Sequence, residues 1–263
     1  MILAAGRGQR MRPLTDTCPK PLLPVHGKPL MQWAMESLAA GGFTRQVVNT
    51  DWLGEQISDH FGQNPASNGD ESLSKLGGVQ VAYSKEGADF GYALETAGGI
   101  SRALPLLDEI FWVAAGDVFA PGFPFTRAAL QRFAASGMLA HLWLVPNPAH
   151  NPGGDFALGA PLPDGGDAGV FQALNQPAQA GEPRHTFSTI ALYRRALFEP
   201  PGCAIAPGNP DGVVAPLAPL LRAAIDAGQV SAELYTGPWT DVGTPERLAQ
   251  INADPPDTTV EAP

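Results

Sequence analysis

Apolar positions along this chain follow two rhythms. Residues 1–5 (MILAA) are apolar throughout and read as a buried strand that begins at the first residue. Residues 110–115 (IFWVAA) read the same way and stop at Gly116-Asp117. Leu30, Ala34 and Leu38 instead recur at i, i+4 and i+8, which predicts a helix over 29–40. Pro29 suits its first turn and Gly41-Gly42 end it. The same reading predicts strands at 45–50, 79–84, 139–145, 170–174, 186–193 and 230–235. It predicts helices at 52–61, after Leu94, at 126–135 and at 216–227. Polar stretches rich in glycine and proline at 62–78, 147–155 and 200–212 read as loops. Residues 253–263 read as a fraying, acidic, proline-rich tail. Alternation of strand and helix predicts an α/β fold whose sheet is largely parallel, with helices on both faces. Ligands of such sheets bind beyond the carboxyl ends of the strands. Residues 5–10 and Gly116-Asp117 are then neighbours of one crevice.

Composition narrows the function classes. A chain of 263 residues makes one large domain or two small ones, and a 44% hydrophobic fraction excludes wholesale disorder. No run of about 18 apolar residues exists to cross a membrane, and the start lacks the basic and apolar regions of a signal peptide. Sixteen basic against 26 acidic residues give a net charge of −10. That balance disfavours non-specific nucleic-acid binding but allows a local basic pocket for a small phosphate ligand. Two distant cysteines, Cys18 and Cys203, point to a reducing, cytoplasmic setting without a disulfide framework.

The chemistry concentrates in a few places. Residues 3–15 (LAAGRGQRMRPLT) leave a strand and are rich in glycine and arginine. Gly6 and Gly8 let the backbone approach a phosphate and expose N–H donors, while Arg7, Arg10 and Arg12 can pair with phosphate oxygens. The loop lacks the GK[ST] of a Walker A sequence, and Met11 stands where the dinucleotide fingerprint needs its third glycine, which disfavours an NAD-dependent oxidoreductase. Lys20 lies between Pro19 and Pro21, whose stiff backbone aims its ammonium at one point. Asp117 ends a predicted strand, and Asp241 lies between a strand and a helix. Two such carboxylates over a triphosphate suit Mg²⁺. Taken alone, Asp241 reads equally well as an N-cap. There is no HExxH pair and no GxSxG elbow. Cys18 reads as a buried small residue, so covalent catalysis is not indicated.

Residues 3–15 together with 19–25 (PKPLLPV) resemble the signature of the sugar-1-phosphate nucleotidyltransferase family. Leu94–Gly99, Gly116–Val118 and Trp239–Thr244 match further motifs of that family in order. Gln9, together with the loop Val145–Phe156, is similar to the family's uridylyltransferases. The resemblance implies a single Rossmann-like domain over 1–252, with a nucleotide-binding half to about 118 and a sugar-binding half over 119–252. It implies UTP and a sugar 1-phosphate as substrates and Mg²⁺ as cofactor. Arg10, Lys20 and Asp117 would carry catalysis. Leu3, Ala4, Ala5, Gly6, Arg7, Gly8, Glu95, Gly98 and Gly99 would bind the nucleotide. Lys20, Asp155 and Asn175 would meet the sugar phosphate, and Asp117 and Asp241 the metal. One departure stands out: many relatives carry Glu-Lys-Pro where this chain has Asn175-Gln176-Pro177. Two alternatives stay open, namely a guanylyl- or thymidylyltransferase acting on a hexose or heptose phosphate, and a non-catalytic nucleotide-sensing subunit.

Overall fold

The computed structural model describes residues 1–62, 76–163, 169–177, 179 and 181–253. Most of the loop predicted at 62–78 and nearly all of the predicted tail lie outside the described residues. In chain order the elements are β1 (Ile2–Leu3), β2 (Pro24–Val25), β3 (Lys28–Pro29), α1 (Leu30–Ala40), β4 (Arg45–Thr50), α2 (Gly54–Phe61), β5 (Gln80–Lys85), α3 (Glu86–Phe90), α4 (Glu95–Ala103) and β6 (Ile110–Ala115). They continue with β7 (Val118–Phe119), α5 (Arg127–Ser136), β8 (Ala140–Val145), β9 (Phe156–Pro161), β10 (Phe171–Leu174), β11 (Arg184–Arg194), α6 (Leu217–Asp226), β12 (Val230–Leu234), β13 (Thr240–Asp241) and α7 (Pro245–Ala253). The fold is α/β, with a mixed, mostly parallel sheet and helices, and the chain divides into two compact units. The first holds Met1–Glu95, Ala114–Thr126 and the described residues from Gly237; the second holds Thr96–Val113 and Arg127–Thr236. No helix among the described residues is long and apolar enough to cross a membrane.

In the first unit β5, β4, β1 and the end of β6 pair in that order, all parallel. From β1 the chain moves to β4 on one side and later returns as β6 on the other. The order of strands therefore reverses at β1, and its carboxyl end is the topological switch point where ligands bind in open α/β sheets. The strand predicted over 1–5 is shorter in the structure because Ala4 leaves the ladder: its N–H donates to Asn49 Oδ1 at 2.9 Å. Helix α1 buries Leu30, Met31, Met35 and Leu38, so its inner stripe passes beside Ala34. It stops at Gly41, where a Cβ would lie 1.8 Å from the Phe125 carbonyl oxygen. Met11, Leu23, Val25, Leu30, Phe119, Val242 and Leu248 form one buried cluster with Trp33 and Cys18 packed against it. Burying each large side chain contributes about 1.5–3 kcal/mol. This cluster fastens the glycine-rich loop, the Lys20 turn, the β7–β13 pair and α7 to a common core.

In the second unit β8 pairs antiparallel with β11 and parallel with β12. Strand β10 runs antiparallel to both β12 and β9, and β9 also meets the start of β11. The sequence pattern missed β9 because Gly159 and Pro161 interrupt it. Gly159 is the residue that lets Leu174 approach: a Cβ there would lie 3.1 Å from the Leu174 side chain. A partly buried polar cluster lies here. Arg132 Nη2 donates to Glu233 Oε1 at 2.9 Å, His141 Nε2 lies 3.5 Å from the same oxygen, and His141 Nδ1 is 2.8 Å from Ser231 Oγ. These residues border a cavity of about 240 Å³ beside Phe133 and Leu162.

Candidate functional site

Beyond β1 the backbone turns sharply through the glycines. Gly8 has a φ of +62°, a conformation that favours glycine, and a Cβ there would lie 3.0 Å from Thr15 Cγ2 and 3.2 Å from Lys20 Cβ. Its carbonyl accepts from Met11 N–H at 2.9 Å and Thr15 Oγ1 at 2.8 Å, which closes the turn. Gly6 is different. It is exposed, its φ lies outside the left-handed region, and a Cβ would meet nothing of the described protein within 4 Å. The Arg7 guanidinium lies 4.4 Å from the centre of the Trp52 ring, and Trp52 Nε1 donates to the Thr15 carbonyl at 2.9 Å. Trp52 thus braces both sides of the loop. Arg10 is exposed in a short 3-10 turn, and Arg12 pairs with Asp16 at 2.7 Å in the open.

Lys20 is buried while its partner remains accessible. The prolines flanking it carry the side chain through the core so that only 9% of it is exposed. Its Nζ lies 2.6 Å from Asp117 Oδ2. Asp117 follows Gly116, where a Cβ would lie 3.0 Å from the Leu3 carbonyl that accepts the Gly116 N–H at 2.8 Å. The glycine therefore brings Asp117 against the end of β1. Asp241 arrives from the far end of the chain on β13, which pairs antiparallel with β7, and Val242 N–H donates to the Asp117 carbonyl at 3.0 Å. So Asp117 and Asp241 sit on adjoining paired segments at the switch point. Asp241 Oδ2 accepts from Arg247 Nη1 at 2.8 Å. Burial raises the Cys18 thiol, which keeps it neutral beside this site.

Sequence reading passed over four residues that shape this region. Asn49 and Glu86 are both buried, and Asn49 Nδ2 donates to Glu86 Oε1 at 2.7 Å. Glu86 Oε2 accepts the Leu94 N–H at 2.8 Å. The chain of contacts from Ala4 through Asn49 and Glu86 to Leu94 ties the start of the glycine loop to the residue preceding Glu95. Glu95 itself is exposed with a φ of +59°. Trp52 and Arg247 are the other two. An Asn directly after Val47-Val48 in a predicted strand, and an Arg in the first turn of a helix, were the available signals.

The remaining expected residues lie in the second unit. Gly98 and Gly99 are buried in α4; the Ala97 and Gly98 N–H groups donate to the Ala215 carbonyl, and Asn209 Nδ2 donates to the Gly98 carbonyl. Asp155 Oδ2 accepts from Phe187 N–H at 2.8 Å and Asn151 Nδ2 at 3.2 Å, which pins the 147–155 loop to β11. Asn175 Nδ2 donates to the Arg222 carbonyl and to Asp226 Oδ1 near the end of α6. Among the described residues no cluster of three or more His, Cys, Asp or Glu side chains forms. Two carboxylates alone do not complete an ion's coordination. They fit a hard divalent cation that takes its other ligands from phosphate oxygens and water.

Residues 1–153 match the family model described as nucleotidyl transferase. The chain is 46% identical over 256 residues to the N-acetylmuramate alpha-1-phosphate uridylyltransferase of Neisseria meningitidis serogroup B, covering 96% of each chain. Two solved structures share its fold. A putative glucose-1-phosphate thymidylyltransferase from Bacillus anthracis gives a TM-score of 0.70 at 19% identity, over 96% of this chain and 92% of that one. A UTP-bound UGPase from Acinetobacter baumannii gives 0.68 at 14% identity, over 96% and 90%. The chain therefore belongs to the nucleotidyl transferase family, as a sugar-1-phosphate nucleotidyltransferase.

Proposed function

We propose that this protein transfers the uridylyl group of UTP to N-acetylmuramic acid 1-phosphate, giving UDP-N-acetylmuramate and pyrophosphate, with Mg²⁺, in the cytoplasm and in the recycling of cell-wall sugar. The grouping of Lys20, Asp117 and Asp241 beyond the end of β1 carries the reaction. The Neisseria relative supports the base and the sugar. A sugar phosphate is already anionic near neutral pH, so no general base is needed to activate it. The obstacle is repulsion between two polyanions, together with charge developing on the leaving pyrophosphate. A phosphate oxygen of the sugar attacks the α-phosphorus of UTP; the new O–P bond forms as the bond to the bridging oxygen breaks, and pyrophosphate carries that electron pair away. A divalent ion on Asp117 and Asp241 supplies charge neutralisation when bound.

The protein's own groups do the rest. Gly6 and Gly8 amides with Arg7 and Arg10 hold the β- and γ-phosphates, and residues 3–5 and Glu95 border the base and ribose. Lys20 serves the α-phosphate and the sugar phosphate. Its contact with Asp117 keeps the ammonium aimed before substrate arrives. The roles of Gly98 and Gly99 toward the nucleotide, and of Asp155 and Asn175 toward the sugar phosphate, rest on the motif resemblance. The test is pyrophosphate release with four nucleoside triphosphates against N-acetylmuramate, N-acetylglucosamine, glucose, mannose and heptose 1-phosphates, with and without Mg²⁺. UTP with the muramate ester should give the highest kcat/KM, and only with the metal. Preference for GTP or dTTP with a hexose or heptose ester would overturn the assignment.

A further inference from the structure

Asp241 is gripped by a side chain that its own helix does not explain. Arg247 Nη1 donates to the Asp241 carbonyl oxygen and to Oδ2, each at 2.8 Å. Only 19% of the arginine side chain and 25% of the aspartate side chain are exposed. Gly243 makes room for the contact, since a Cβ there would lie 2.5 Å from Arg247 Nη2 and 3.2 Å from Asp241 Oδ2. Residues from strand, loop and helix are thus shaped around one guanidinium. Yet Arg247 occupies the first turn of α7, near the positive end of the helix, where acidic side chains are favoured and cations are not. Glu246 obeys that rule and Arg247 breaks it. Nor does α7 offer an acidic partner three or four residues on, where Gln250 and Ile251 stand.

We infer that Arg247 is a positioning residue that acts as a resident cation on Asp241. It holds the carboxylate in one orientation and offsets its charge, as Lys20 does for Asp117. A bare divalent ion then meets two carboxylates already matched by positive groups and binds weakly. Uptake is strong only when a triphosphate brings further oxygen ligands and negative charge with the ion. This inference rests on the proposed metal role of Asp117 and Asp241.

The test reads binding rather than turnover. Mn²⁺ affinity of the whole protein, without nucleotide, is measured by the electron paramagnetic resonance of free Mn²⁺ for the parent, R247Q, R247K and G243A. A divalent ion about 6 Å from a guanidinium in a water-like medium loses roughly tenfold in affinity. R247Q should therefore bind bare Mn²⁺ about tenfold tighter, while R247K, which keeps the charge, should stay within about twofold of the parent. G243A leaves every charge in place but pushes the guanidinium off Oδ2, and should tighten binding at least about twofold. It is read in place of R247Q if circular dichroism shows that variant unfolded. Unchanged or weaker Mn²⁺ binding in the folded variant overturns the inference, as it would for an arginine that only braces α7. A separate arm measures Mn²⁺ with UTP in D241N; normal binding there would remove the metal role of Asp241 itself.

Discussion

Gly6 and Gly8 stand two residues apart and should answer to alanine in opposite ways. At Gly8 the backbone is left-handed, and alanine there costs about 1–2 kcal/mol. Contacts at 3.0 and 3.2 Å to Thr15 and Lys20 add strain, because both neighbours are buried. For a protein of this size about 1 kcal/mol moves Tm by roughly 2–4 °C, so Gly8→Ala should lower Tm by about 2–8 °C. Gly6→Ala meets no protein atom and no backbone penalty. Its only stability effect is a restricted unfolded chain, worth about 0.4–1 kcal/mol in its favour. Its Tm should stay level or rise slightly. If the Gly6 amide approaches a phosphate, however, a methyl there displaces one or two charge-assisted hydrogen bonds of about 1.5–3 kcal/mol each. That corresponds to at least about a tenfold rise in the KM for UTP. The assays are differential scanning calorimetry and initial rates over a UTP titration. A Gly6→Ala protein with parental Tm and parental KM would refute the idea that triphosphate lies on this turn.

Four other outcomes can be checked. Asp117→Asn should fold, since 40% of that side chain is exposed, and should lose roughly 10²–10³ in kcat; near-parental turnover would contradict its role. Lys20→Ala should raise the KM for the sugar phosphate more than that for UTP, and a defect confined to UTP would argue against the assignment. Asn49→Leu strands the Ala4 N–H in the interior, at about 1–3 kcal/mol, and takes a donor from Glu86, so an unchanged melting curve would dispose of that network. Glu233 gives a pH signature. Burial pushes its carboxyl up, but hydrogen bonds and charge from His141 and Arg132 outweigh this and hold it below the ordinary 4.5. Its stabilisation is therefore complete above that pH and is lost as pH falls through the lower folded value. Glu233→Gln should flatten the acid limb of stability measured by urea melts below about pH 5, and an unaltered limb would count against the pair.

Much of the fold was readable where burial imposes a period. Residues 45–50 and 110–115 are strands with the predicted bounds: 110–115 is the unbroken apolar run that a buried parallel strand leaves, and 45–50 carries the β-branched pair Val47-Val48 at its centre. The pair β7–β13 was not readable, since two-residue strands carry no period, and it is this pair that brings Asp117 and Asp241 onto adjoining segments. The glycine loop, Lys20 and both aspartates were legible as chemical types in ordered motifs. Their supports were not. Asn49 and Glu86 look like ordinary polar residues until the fold buries them, and nothing local links positions 37 residues apart. Arg247 was hidden in the same way, behind a stretch that reads as a plain helix start.

The Asn49–Glu86 pair has a consequence for how this protein can change. An apolar residue at 49 takes the acceptor from the Ala4 N–H and a donor from Glu86, and one at 86 takes the acceptor from the Leu94 N–H and from the Asn49 amide. Laboratory evolution under mild heat should therefore recover paired polar replacements at 49 and 86, which keep an acceptor for each backbone N–H, more readily than single apolar ones. Libraries that diversify the two together will search sequence space that one-at-a-time scanning never reaches.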